Sequence, residues 1–291
     1  MNPVFLYCGD PLRPRRVDPH FSAEAARVRE LGGRVEVIDH DALIAGRINE
    51  ATARTAHPGP AWYRGWMVPA HRYAQLAATV ELITEPAMYS AAHELPGWYR
   101  HLAAHTPAST WATTSPHTVP ARDILSALAA ELPHGAGMVK DFVKSRKHEP
   151  DASFVPDLDD VDVLAEVVRR FVERQDDDLA GGVVLRHFEQ FVHVDGRTAE
   201  LRTWWVDGRA VLTGPHPDSP SPPGHPDLTL FASAIEALPS RFITCDVALR
   251  SDGVWRIIEI GDGQVSDLPA DIDPSPLLRA LLEAPTTGVG A

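Results

Sequence analysis

Cysteine is nearly absent: the 291 residues contain two, Cys8 and Cys245. A disulfide framework is thereby excluded. One bridge is the most the chain can form, and two buried free thiols in a reducing compartment are the expected state. No apolar run approaches the roughly 20 residues of a membrane span. The opening "MNPVFLYCGDPLRPRR" places its short apolar stretch ahead of its basic residues, the reverse of a secretory signal. A cytoplasmic protein without membrane contact is expected. Basic residues are in deficit, 27 against 40 acidic, for a formal charge of −13, which argues against a nucleic-acid partner held on a broad basic surface. Several catalytic signatures are also missing: Gly-x-Ser-x-Gly, Cys-x-x-Cys, His-Glu-x-x-His and the Gly-rich loop ending in Gly-Lys-Ser/Thr. The repeated His-Pro-Asp at 216–218 and 225–227 reads as a Pro-rich surface loop, with metal ligation as the alternative.

What is present divides into units. The length calls for two or three packed units. "PVFLYCGD", helix "SAEAARVRELGG" and "RVEVIDHDAL" form a βαβ start, and "AWYRGWMV" is a third strand candidate, so a parallel sheet is predicted first. Residues 83–109 read as mostly helical, broken at Pro86 and Pro96, and 113–120 as a linker. A second unit opens with helix "ARDILSALAAEL" and strand "GMVKDFVKS", followed by helix "DVDVLAEVVRRFVERQ" with Asp160 at its N-cap. Antiparallel sheet follows, because Asp-Gly at 195–196, 207–208 and 252–253 sits between β-rich runs. A closing helix, "PSPLLRALLEA", precedes a frayed tail.

Four charged features lie inside apolar strands. Lys140 and Lys144 are four apart, so in a strand both would face one polyanion, unless this is an edge strand showing lysines to water. Arg186 and Glu189 are three apart and face opposite ways, or form a surface ion pair. Glu200 and Arg202 share a face beside Trp204 and Trp205, suiting either anion capture or a cross-strand ion pair. Asp246 and Glu259 flank the 252–253 turn. With a two-residue loop and no bulge they lie directly opposite, and two opposed carboxylates repel. A cation between them relieves the repulsion, and oxygen-only ligation means Mg²⁺ or Mn²⁺. In the alternative each carboxylate pairs separately with an arginine such as Arg202.

Two lysines, a carboxylate strand, an arginine strand and an acidic hairpin, in that order, resemble the ATP-grasp superfamily, and within it the clade named for one arginine and two lysines. "YRGWM", "GMVKDFVKSRKHE", "LRHFEQFV", "ELRTWWVDGRAVL" and "DVALRSDGVWRIIEIGDGQVSDLP" carry the resemblance. It implies an α/β plus α+β chain: an N-terminal α/β domain over 1–115, ATP-grasp subdomains over 116–187 and 188–285, and a tail over 286–291. It further implies that ATP is gripped between the subdomains, with Lys140 and Lys144 on its phosphates. Arg186, Phe188 and Glu189 would lie at the hinge that reads adenine and ribose, and Arg202 on the γ-phosphate. Asp246 and Glu259 would hold the metal. Gly261 stands where many members have a metal-binding Asn, so Asp262 is the candidate third ligand. The implied activity is an ADP-forming ligase joining a carboxylate to an amine or thiol. A kinase on the same scaffold and a non-catalytic nucleotide sensor are the rivals. Substrate contacts are expected from Arg64, Trp66 and His216.

Overall fold

The computed structural model describes residues 3–55, 59–269 and 271–286. Of the tail expected at 286–291, all but Thr286 lies outside the described residues. Strands β1 (Val4–Asp10), β3 (Arg34–Ile38) and β4 (Ala61–Arg64) make the predicted parallel sheet. β1 is central, and Val4 faces Arg34 on one side and Ala61 on the other. An exposed hairpin strand, β2 (Arg13–Val17), extends β1 antiparallel, an addition that the basic, Pro-containing segment does not announce. The helical stretch is divided beside Pro86 and Pro96, and neither proline lies in a helix interior. They sit in the first turns of Pro86–His93 and Leu95–Leu102, where a missing amide hydrogen costs nothing.

Four further strands, β5 (Ser109–Thr113), β6 (Gly137–Asp141), β7 (Phe154–Val155) and β8 (Gly182–His187), form an antiparallel sheet in the order β5-β8-β6-β7. β5 falls where the sequence predicts only the end of a helical stretch and the start of a linker, yet it pairs with β8 along its whole length. Asp160 caps helix Val161–Gln175, which buries Leu164, Val168 and Phe171 on this sheet. β6 ends four residues early. The buried Asp141 accepts from the amides of Val143 and Lys144 and turns the chain back, bringing Ser145 opposite Lys140. Lys144 therefore rides on a loop, and the shared-strand argument for the two lysines does not hold.

The small hairpin β9 (His193–Val194) and β10 (Arg197–Thr198) leads into β11 (Glu200–Val206), β12 (Arg209–Pro215), β13 (Phe242–Leu249) and β14 (Trp255–Asp262), ordered β12-β11-β13-β14. Two of the Asp-Gly turns have positive φ at both residues, 50° and 75° at 195–196 and 48° and 74° at 207–208, the type I′ signature of two-residue hairpins. The third differs. Only Gly253 is positive, at 88°, and Leu249 pairs with Trp255, so the loop is longer than two residues. That shifts the register by one. A bulge between Asp246 and Val247 shifts it back, and Asp246 faces Glu259 after all.

One core joins the first and last sheets: β1 and β4 pack with Trp204, Phe242 and helix Ser275–Glu283. Cys8 and Cys245 are both buried and free. No helix among the described residues is long and apolar enough to cross a membrane. At the seam lies Arg64, 1% exposed. Its guanidinium donates to both oxygens of Glu24 at 2.8 and 2.6 Å, and to the carbonyls of Gly263, Gln264 and Ser266 at 2.6, 3.1 and 3.1 Å. With its donors so engaged, Arg64 holds the turn after β14 onto β4 and is not available to a substrate. Removing one partner of a buried pair strands the other charge. Arg64→Met should therefore cost about 3–5 kcal/mol in chemical denaturation, with part of the loss restored by adding Glu24→Leu.

Candidate nucleotide and metal cleft

Register builds the site. Arg202 on β11 faces Asp246 on β13, which faces Glu259 on β14, so three charged side chains form one row across three strands. Within the row Arg202 Nε and Nη2 donate to both oxygens of Asp246 at 2.8 and 2.9 Å. Burial raises the carboxyl of Asp246, but its hydrogen bonds with Arg202 and His216 prevail and hold it below the ordinary range. Glu259 takes a different cation. Lys140 reaches across from β6, its Nζ 3.5 Å from Glu259 Oε1. Burial draws the Lys140 ammonium below the usual lysine range, against the pull of Glu259. Each carboxylate thus has its own cation: an arginine for Asp246, as in the alternative that the sequence left open, and for Glu259 a lysine instead.

The donor set suits a hard divalent cation. Two carboxylates share a row, and the Glu259 side chain is 43% exposed toward the cleft. Beside them, two residues along the same face, Thr244 faces Gly261. A Cβ at position 261 would meet Thr244 Oγ1 at 2.8 Å and Ser266 Oγ at 3.5 Å, and these two hydroxyls bond each other at 2.8 Å. A hydroxyl pair therefore fills the place that a side chain at 261 would need. Asp262 does not supply the third ligand. It alternates to the opposite face, fully buried, where Oδ1 accepts from the Gln264 amide at 2.8 Å and Nε2 at 3.1 Å. Its other oxygen has no hydrogen-bond partner among the described residues, and burial pushes the carboxyl up to about 7.

Other candidate residues part ways. Arg186 shares a face with Lys140, but its guanidinium donates to the Ile258 carbonyl at 2.8 Å and to Ser109 Oγ at 3.1 Å, tying β8 to β14. Burial brings it down to about 10. Glu189 is equally committed: both its oxygens take Arg256 at 3.0 Å, and Arg250 lies at 3.3 Å. Those ion pairs tie the segment after β8 to the last hairpin. Phe188 stays open, 37% exposed and edge-on to Phe154 at 5.4 Å, in the segment joining β8 to the last sheet. Lys144 makes no side-chain ion pair or hydrogen bond among the described residues. Trp66 is 38% exposed beside a cavity of about 190 Å³ lined by Asp10, Asp18, Asp39, Asp41 and His40, at the carboxyl ends of β1 and β3.

His216 enters the cleft from the loop after β12, its Nε2 3.0 Å from Arg202 Nη2 and 3.5 Å from Asp246 Oδ2. Glu200 is legible in the sequence only as the strand-mate of Arg202. It is 4% exposed, with Lys147 Nζ 3.4 Å away. Ligand atoms of Glu200, His216 and Asp246 lie within 4.8 Å of one another, close enough for one metal ion. The surroundings argue otherwise: Arg202 Nη2, which can only donate, stands 3.0 Å from His216 Nε2, and a guanidinium in that place opposes a second cation on the ring. His216 thereby closes the Arg202 end of the row.

A fold of paired antiparallel sheets, with lysines on one jaw and an Arg–Asp–Glu row on the other, defines a nucleotide-gripping enzyme class. A profile of the ATP-grasp domain, family 3 of the clade named for one arginine and two lysines, matches residues 127–281, more than half of the chain. The protein belongs to that family. Among solved structures it is similar to the D-cycloserine synthetase DcsG, at 16% identity over 96% of this chain and 99% of that one, with a TM-score of 0.59. It is also similar to the ATP-grasp ligase PsnB complexed with minimal precursor, Mg and ADP, at 14% identity over 95% and 96% of the chains and a TM-score of 0.57. A third is N5-carboxyaminoimidazole synthase from Aspergillus clavatus in complex with ADP and 5-aminoimidazole ribonucleotide: 12% identity, 98% and 77% covered, TM-score 0.54. At such identities these likenesses establish the fold. The comparison with curated proteins finds no match.

The buried Asp262 gives a pH test. Its carboxyl keeps its proton in the folded chain to about pH 7, whereas the unfolded chain releases it near pH 4, roughly the free-Asp value. Between those limits the native state binds the extra proton, so stability falls as pH rises and levels off above the upper limit. Asp262→Asn should flatten that decline in melting temperatures taken from pH 5 to pH 8, roughly the window those two values set. An unchanged slope would show that Asp262 is ionised in the native protein.

Proposed function

We propose that this chain is an ATP- and Mg²⁺-dependent ligase that joins a carboxylate to an amine, or to a thiol, through an acyl phosphate. The observation that carries the reading is the set of ion pairs in the cleft, one within the last sheet and one reaching across from β6. Arg202 and Lys140 are held on Asp246 and Glu259, and both cations are of the kind that binds phosphoryl oxygens. The units 116–187 and 188–285 act as the two jaws, and 1–115 helps to frame the acceptor side, where Trp66 is the open candidate contact.

The chemistry asks for positioning and charge neutralisation. An oxygen of the substrate carboxylate attacks the γ-phosphorus, the bond to the bridging oxygen breaks, and ADP departs. The amine then forms a bond to the acyl carbon and loses a proton, while the C–O bond breaks and phosphate leaves. No enzyme nucleophile is required, in keeping with the missing triads. Asp246 and Glu259 would hold Mg²⁺ or Mn²⁺, whose charge would neutralise the polyphosphate when bound. Lys140 and the loop-borne Lys144 transfer from protein and water to phosphate oxygens. Arg202 turns its planar fork from Asp246 to the transferring phosphoryl, and His216, 3.5 Å from Asp246 Oδ2, can then donate to that carboxylate in its place. Phe188 and the backbone beside it receive the adenine. Glu189 and Arg186 serve by fixing the jaws' geometry.

Three variants test these roles. Lys140→Ala and Lys144→Ala should each weaken calorimetric ATP affinity by about ten- to a hundredfold, the worth of a charge-assisted phosphate contact. Arg202→Lys should leave ATP affinity near that of the wild type and depress turnover, since charge is kept and the fork is lost. Product analysis separates the readings: free phosphate released with ADP supports a ligase, phosphate retained on the product a kinase, and no ADP with any acceptor a nucleotide sensor.

A further inference from the structure

Resting on the ligase reading and narrowing its acceptor, we propose that Glu200 anchors the cationic amine of the acceptor substrate. The carboxylate is 4% exposed. A buried carboxylate is costly without a cation. Its strand-mate Arg202 does not serve, because that guanidinium is bonded to Asp246 and faces His216. Glu200 is met instead by an ammonium from the other jaw, Lys147 Nζ at 3.4 Å. That contact is long, and the lysine is 64% exposed on the loop that also carries Lys144. It is an ammonium on loan, held by one weak contact and free to leave when the loop takes up phosphate.

The position selects the ligand. Side chains two apart on one strand face stand about 7 Å from each other. A cation on Glu200 therefore lies beside Arg202, next to where the activated carboxylate forms. An anionic group would be repelled, and a neutral thiol would leave the carboxylate unpaired. A metal ion shared with His216 is opposed by the Arg202 guanidinium, which stands 3.0 Å from Nε2. What remains is a primary or secondary amine that arrives protonated, its N–H donors matching the place that the Lys147 ammonium now fills, and that gives one proton to the Glu200 carboxylate before its lone pair attacks the acyl carbon.

The test uses the full chain with Mg²⁺ and AMPPNP at saturation, following thermal unfolding while methylammonium, ethanolammonium and putrescine are added. Tetramethylammonium and sodium chloride serve as controls at matched ionic strength. Primary ammonium ions should stabilise the wild type, and tetramethylammonium should not. Glu200→Gln should weaken that response by about tenfold or more, the loss of one charge-assisted contact. Glu200→Asp should fall between the two, and Lys147→Met should bind amines several-fold more tightly because the competing ammonium is gone. Retained AMPPNP stabilisation in Glu200→Gln shows that the variant is folded and its nucleotide arm intact. An unchanged amine response in that variant, or none in both wild type and Lys147→Met, overturns the proposal. So does loss of the Mg²⁺ and AMPPNP response in Glu200→Gln, which would assign the carboxylate to the metal. Failure of AMPPNP to stabilise the wild type would instead defeat the ligase reading itself.

Discussion

A carboxylate taken out of water must keep a cation within reach, and the cleft is arranged around that constraint. Asp246, Glu259 and Glu200 are each met by a different basic side chain: Arg202, Lys140 and Lys147. Two of these pairs cross between the jaws. Substrates that bring phosphate and a divalent ion allow the same charges to re-pair, with basic side chains going to phosphate and carboxylates to the incoming cation. The proposed chemistry then needs little more than exchange of partners within a fixed charge inventory. Such exchange costs less than ionising or stranding any member, because every intermediate arrangement can stay paired.

The exchange requires a rigid frame, and the frame is largely apolar. β13 carries Asp246 between strands whose other face is buried on Trp205, Ile243 and Ile260. The Arg64 cluster fixes the far end of β14 to the parallel sheet, and Arg186 fixes its bulge to β8. Residues that look functional by charge thus divide into two groups. Arg64, Arg186, Glu189 and Asp262 are locked in complete or fully buried contacts and set geometry. Arg202, Lys140, His216 and Glu259 keep exchangeable contacts in the cleft, and the Lys144 side chain makes none among the described residues.

That division explains what is legible in the sequence. Strand alternation and Asp-Gly turns are local signals, and they place the last sheet and bring Asp246 opposite Glu259. The route there is partly accidental, since a longer loop and a bulge at Ile258 cancel each other. The early end of β6 is hidden because it depends on the Asp141 side chain capping two amides, which spacing alone does not reveal. The partners of Arg64 and Glu189 are distant in the chain, 40 residues for Glu24 and 67 for Arg256. No local pattern announces them. Glu200 is visible as a face-mate of Arg202, but its burial and its lysine partner arise only when the jaws come together.

The central claim is that the carboxylate row is closed by the protein's own cations until nucleotide arrives. Calorimetric titration of Mg²⁺ into the protein, with and without saturating AMPPNP, tests it most directly. Nucleotide should tighten Mg²⁺ binding by about 5- to 150-fold, the range of an ordinary coupling between sites, and Mg²⁺ should tighten AMPPNP binding equally. Equal Mg²⁺ affinity in both titrations, lost in each with Glu259→Gln, would mean that the metal site stands open without nucleotide and that no exchange of partners takes place.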